Sequence, residues 1–293
     1  MPKAAIKQTV KWIILLAALL AVGPAVAMLV AGLQGPAGGD ETTLLWNTQM
    51  TEGLIAAVAV LAAMYVCGLA GGVLVDKENG GQAAGLIAIW AAMRTGNLGD
   101  LWRVTETGAG GVVGLLFLES LLLVAAAFPL VLWLQADRKN PIEVAKGIAT
   151  TRAGLVSVAA AAVAALIVSF ILVFTPLRGQ ALGGAIGGAI AGAVAARAAA
   201  VALGAPSDPR GAAAIGALVA CLLAPAVAAL RPGLGGLHDA SLAGTLTGPA
   251  AIQPLDWIAA ALIGAPIGVG WAASLFEQSE DEKPAAKTRR ASA

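Results

Sequence analysis

The stretch GQAAGLIAIWAAMRTGN, residues 81–97, decides the fold, because the rest of the chain arranges itself one way if it crosses a bilayer and another way if it does not. Its apolar part, Ala83–Met93, is short and is closed by Arg94. A spanning helix needs about 20 apolar residues, since the hydrocarbon core is about 30 Å thick and each residue rises about 1.5 Å. Working outward, seven other stretches meet that length: Lys11–Leu33, Gly53–Val75, Gly110–Gln135, Ala153–Thr175, Gly179–Leu203, Gly211–Leu230 and Leu255–Phe276. The reading is an all-α polytopic transmembrane helix bundle of about eight spans, seven strong and one weak.

Composition supports a lipid setting. Hydrophobic residues make up 59% and charged residues 12% of the chain, against about 45–50% and about 25% in soluble domains. Too few charges are present to cover a water-facing surface. The formal net charge of +1 and the lack of a basic patch with interleaved aromatics argue against nucleic acid as a partner. The Ala- and Gly-rich texture suits a bacterial inner-membrane protein.

Charge asymmetry settles the weak segment. Lys3, Lys7 and Lys11 precede the first span, whereas the loop Gln34–Glu52 carries Asp40, Glu41 and Glu52 with no Lys or Arg, so the amino terminus is cytoplasmic. The loop Ala136–Arg152, with Arg138, Lys139, Lys146 and Arg152, should also be cytoplasmic. Both hold only if residues 81–97 cross as the third of four spans. That topology puts 13 Lys/Arg residues inside and four outside (Arg94, Arg103, Arg178, Arg231), with Arg197 inside a helix, and returns the carboxyl terminus to the cytoplasm. Trp12, Trp46, Trp102, Trp133, Trp257 and Trp271 fall near span ends, as interfacial indoles do, while Trp90 does not.

The start of the chain resembles a signal peptide, with Ala25-Val26-Ala27 as a cleavage pattern, but the apolar run continues to Leu33, long enough for an uncleaved span. Residues 1–277 read as the bundle and 278–293 as a disordered cytoplasmic tail with little to bury. No internal repeat marks two related halves, which argues against inverted-repeat transporter folds.

Polar groups inside the spans are the candidates for function, because each is costly in lipid. Glu119 lies near the middle of its span, and a charge there costs on the order of 3 kcal/mol, so it must be paired, protonated or facing a wet cavity. Arg94 and Arg197 are the cations placed to reach it. Its functional reading is a proton, cation or polar-solute site; its structural reading is a tie between helices. Arg197 suits snorkelling or pairing. Arg94 and Asp256 suit interface anchoring, and Asp256 also suits capping the last span.

The run Gly183-Gly184-Ala185-Ile186-Gly187-Gly188-Ala189-Ile190-Ala191-Gly192 places glycines at four-residue spacing on one helix face, a pattern for close packing. A partner within the chain is expected, with a homo-oligomer or membrane-complex contact as the alternative. Gly68/Gly72 and Gly264/Gly268 are weaker instances. Pro24, Pro129, Pro225 and Pro266 fall within spans, where each removes a backbone donor. The segment Arg231–Pro254 could fold back as a re-entrant loop; its His238-Asp239 pair lacks the further ligands a metal needs.

Cys67 and Cys221 sit in apolar stretches, so neither a disulfide nor a metal site is expected, and no cofactor is implied. No phosphate-binding loop, nucleophile elbow or zinc-protease motif occurs, and Gly268-Val269-Gly270-Trp271-Ala272-Ala273 matches a dinucleotide pattern only by accident inside a helix. Three functional readings remain: a transporter-like or channel-like protein for a small solute or ion, motivated by Glu119 and the prolines; a structural or assembly subunit of a membrane complex, motivated by the glycine face; and third a membrane enzyme, which would require a cluster around His238 and Asp239 that the sequence does not reveal.

Overall fold

The computed structural model describes residues 3–35, 37–39, 41–104, 109–135, 140–204, 209–230 and 233–281. Seven helical stretches are long and apolar enough to cross a membrane: Ala5–Ala31, Met50–Leu74, Gly110–Gln135, Arg152–Leu172, Arg178–Ala202, Arg210–Leu230 and Pro254–Phe276. No strand occurs among the described residues. The chain is an all-α, multi-pass integral membrane protein whose outward side chains, such as Leu20, Met28, Ile55, Val66, Ile171 and Leu275, contact lipid.

In chain order the α-helices are α1 (Lys3–Ala17), α2 (Gly23–Ala31), α3 (Met50–Leu74), α4 (Lys77–Ala92), α5 (Leu98–Val104), α6 (Ala109–Gln135), α7 (Pro141–Thr150), α8 (Arg152–Leu172), α9 (Arg178–Ala202), α10 (Pro209–Leu230), α11 (Gly233–Leu242), α12 (Pro254–Ala259) and α13 (Ala265–Asp281). The last helix therefore runs to Asp281, into the segment expected as tail; residues 282–293 lie outside the described residues, as do Asp40, Arg138, Lys139 and Arg231.

Helix α4 occupies the ambiguous segment. With 16 residues it is about 24 Å long, shorter than the hydrocarbon core. Its amino end is fixed by the Asp76 carboxylate, which accepts from Asn79 N at 2.8 Å and lies 3.8 Å from Lys7 Nζ. Its carboxyl end is Ala92, whose carbonyl accepts from Arg178. The helix thus runs from the Lys7 end of the bundle to the Arg178 end. Ten of its sixteen residues are buried, so protein and not lipid surrounds it, which removes the need for a long apolar run.

Small residues let α4 sit there. A Cβ on Gly80 would meet the backbone of Gly68 and, at 2.7 Å, that of Gly72 in α3, so the α3–α4 hairpin closes backbone to backbone. On another face, a Cβ on Gly85 would strike Ile263, and one on Gly81 would lie 3.5 Å from Leu262 O. Helix α9 is built the same way. Gly188 and Gly192 would put a Cβ 2.6 and 2.7 Å from the carbonyls of Ala165 and Ala161 in α8, Gly184 meets Val173, and Gly187 meets Leu172, while Gly183 faces open space. From the other side, a Cβ on Gly264 would lie 2.7 Å from Ile186 O.

Two of the four prolines are preceded by π-turns. Ala18–Val22 joins α1 to α2, and Ala260–Gly264 joins α12 to α13. In the first, Gly23 N bonds Ala18 O in place of Leu19 O; the next position, Pro24, has no N–H, so the Leu19 carbonyl is released. Backbone groups within a bilayer must find a partner. The Trp90 indole supplies it, with Nε1 2.9 Å from Leu19 O. This accounts for a tryptophan away from an interface. In the second, Ala265 N bonds Ala260 O directly before Pro266. Pro129 and Pro225 lie inside continuous helices.

Gly80→Val should destabilise the bundle by about 1–3 kcal/mol through overpacking, whereas Gly183→Ala, with nothing within 4 Å of its Cβ, should leave thermal unfolding in detergent unchanged or slightly raised.

Candidate functional site

Glu119 is buried, and its partners come from the loop between α2 and α3. Thr43 Oγ1 and Leu45 N donate to the same carboxylate oxygen, Oε2, at 2.5 and 2.9 Å. The loop is shaped for this: Thr43 N donates to Trp46 O at 3.0 Å, and Trp46 N to Thr43 Oγ1 at 3.0 Å. Thr43 and Leu44 are wholly buried, so the segment dips into the bundle and Glu119 pins its turn. Among the described residues neither Arg94 nor Arg197 forms an ion pair with Glu119; Arg94 is exposed at the bundle rim and Arg197 is half-buried in α9.

The buried charges meet elsewhere. Asp256, in the first turn of α12, is 0% exposed and receives a two-pronged contact from Arg178: Nη1 to Oδ2 at 3.0 Å and Nη2 to Oδ1 at 2.7 Å. Gln253 N completes the set at 2.8 Å from Oδ2. Asp256 therefore acts at the helix start, but as a buried ion-pair partner and not as an interface anchor. Arg178 also reaches Ala92 O with Nε at 3.1 Å and Nη2 at 2.5 Å. A cation suits that position, because the last carbonyls of α4 have no intrahelical donors. Gln253 Nε2 then donates to Gly96 O at 2.5 Å and faces Thr42 O at 3.5 Å. One cluster thus joins α4, α9, α12 and the re-entering loop.

A cavity of about 380 Å³ opens beside this cluster, lined by Leu33, Thr42, Arg94, Asn97, Asp100 and Arg178 among others. A second cavity, also about 380 Å³, lies at the Lys7 end between α4, α6, α10 and α13, with Glu78, Gln82, Gln135, Arg210, Pro266 and Trp271 on its walls. Between them α4 packs against α12 and its π-turn. Ala84, Ala88, Ile258 and Ala259 there are 0% exposed, forming a dry partition. Glu119 lines neither cavity.

The segment before α12 folds back into the bundle: a 3₁₀ turn, Gly248–Ala251, is buried and Trp102 Nε1 donates to Ala250 O at 2.9 Å. His238 Nδ1 lies 3.1 Å from Trp102 O, where it must be the donor. Among the described residues no three His, Cys, Asp or Glu side chains group to hold a metal. Cys67 and Cys221 are buried free thiols.

The sequence flagged Glu119 because a lone carboxylate in an apolar run is conspicuous; it read Asp256 only as an anchor and cap and Arg178 only as an external loop charge, because each stands at a span end and looks like an ordinary flanking charge. No protein-family model, curated protein or solved structure matches the chain.

Glu119→Gln keeps an acceptor for Thr43 and Leu45 and should preserve the melting temperature in detergent, whereas Glu119→Leu should cost about 1–3 kcal/mol for each stranded donor. Arg178→Met should destabilise by about 3–5 kcal/mol by leaving Asp256 buried alone, and Arg178→Met with Asp256→Leu should recover much of that loss in the same assay.

Proposed function

We propose that the chain is a transporter-like protein for a small solute, with one vestibule at each end of the bundle and α4 as the partition between them. The observation that carries this reading is the pair of cavities, of about 380 Å³ each, with the fully buried contact of Ala84 and Ala88 with Ile258 and Ala259 between them. Both spans that flank α4 with a π-turn have a proline two residues after its end, and such turns lower the resistance to bending. Polar residues lining cavities within a membrane protein are the usual marks of a solute path. Glu119 enters as the residue that holds the re-entering loop over the path. The positive-inside bias makes the Lys7 end cytoplasmic and the Arg178 end external, as in a bacterial inner membrane with both termini inside. The assembly-subunit reading loses its main motive, because Gly184, Gly187, Gly188 and Gly192 stack on the chain's own residues.

The test uses single cysteines at Asn97, Gln82 and Ala88 in a chain with Cys67→Ala and Cys221→Ala, probed with an impermeant thiol reagent in vesicles of each orientation. Asn97→Cys should react only from outside, Gln82→Cys only from the cytoplasmic side, and Ala88→Cys slowly from both as the partition opens. Labelling of Asn97→Cys and Gln82→Cys from one side would overturn the crossing of α4. Complete protection of Ala88→Cys would overturn a path through the partition.

A further inference from the structure

Hydrogen-bond bookkeeping in the external cavity leaves donors over. The acceptors of the Arg178 cluster and its neighbours Asn97 and Asp100 already hold donors. Asp256 holds Arg178 and Gln253 N. The Ala92 carbonyl takes Arg178 and Thr95 Oγ1, the latter at 2.7 Å. The Gly96 carbonyl takes Gln253 Nε2. Asn97 Oδ1 accepts from Gly99 N at 2.8 Å, and Asp100 is paired with Arg103 at 3.2 Å. Left over are the Asn97 amide N–H groups, one N–H on Arg178 Nη1, and the guanidinium of Arg94. Arg94 has no hydrogen bond or ion pair among the described residues. Of the charged side chains that line the cavity, Arg178 is paired with Asp256 and Asp100 with Arg103, which leaves Arg94 as the lining charge with no ion-pair partner among the described residues.

From this surplus we infer that the external cavity is an anion site, taking a small solute that carries a carboxylate or phosphate group, with Arg94 as its principal charge partner. Guanidinium and carboxylate or phosphate match in fork geometry. The volume of about 380 Å³ falls in the range of small-molecule sites. Ala31, Leu33, Met93 and Leu177 on its walls would accept a short hydrocarbon part. The inference rests on the cavity being a solute vestibule and supplies the solute class.

The experiment uses the full purified chain carrying Leu177→Cys on the exposed wall of the same cavity, with both native cysteines replaced by alanine as above. Thiol labelling and thermal unfolding are followed with succinate, inorganic phosphate, uncharged succinamide or dioctanoyl phosphatidylglycerol. Succinate or phosphate should slow labelling and raise the melting temperature, and succinamide should do neither. Arg94→Gln should weaken the anion by about ten- to a hundredfold without altering Gln82→Cys labelling at the far cavity. Protection by the phosphatidylglycerol alone would support the same anion chemistry with a lipid headgroup as its source. No protection by any anion, or equal protection after Arg94→Gln, would overturn the inference. If anions fail while Asn97→Cys and Gln82→Cys still label from opposite sides, the two-vestibule reading stands and only the anion assignment falls.

Discussion

The guanidinium of Arg178 holds the end of one helix and the start of another at once. By bonding Ala92 O and the Asp256 carboxylate, it closes the exposed carbonyl end of α4 and neutralises a charge that lipid would not tolerate. Gln253 extends the same cluster to Gly96 and the loop at Thr42. Because α4 is too short and too polar to stand against lipid, its place in the bundle depends on this fastening and on the glycines that let α3 and the α12 turn close around it.

The lipid-facing helices were legible because hydrophobicity is a local property: each long apolar run declares itself without reference to any other. Helix α4 was not legible that way. Its composition is set by protein neighbours, and only the parity of charged loops pointed to its crossing. Glu119 could be found by its isolation, but its partners, Thr43 and Leu45, lie more than 70 residues away in a loop with no periodic pattern. Arg178 and Asp256 failed for the complementary reason. A charge at a span end is ordinary, and nothing in a one-dimensional reading says that two such ends converge and bury each other.

The prolines illustrate a middle case. Their positions predict broken backbone hydrogen bonding, which the structure meets in two different ways. Pro129 and Pro225 are absorbed within continuous helices, whereas Pro24 and Pro266 follow π-turns. Both π-turned spans pack on α4, as α3 and α6 do without such turns, so the π-turns among the described residues lie beside the partition between the cavities.

The indole of Trp90 has a consequence for how the molecule can divide. Its bond to Leu19 O indexes α4 against the first span at a single register, while on the opposite side Gly81 and Gly85 of α4 lie close to Leu262 and Ile263. At its Arg178 end the seam between α4 and the last span is latched by Arg178 and Asp256. Dividing the bundle on either side of α4 therefore breaks a side-chain bond, the one from Trp90 to Leu19 O toward the first span or the Arg178 bridge between Ala92 O and Asp256 toward the last.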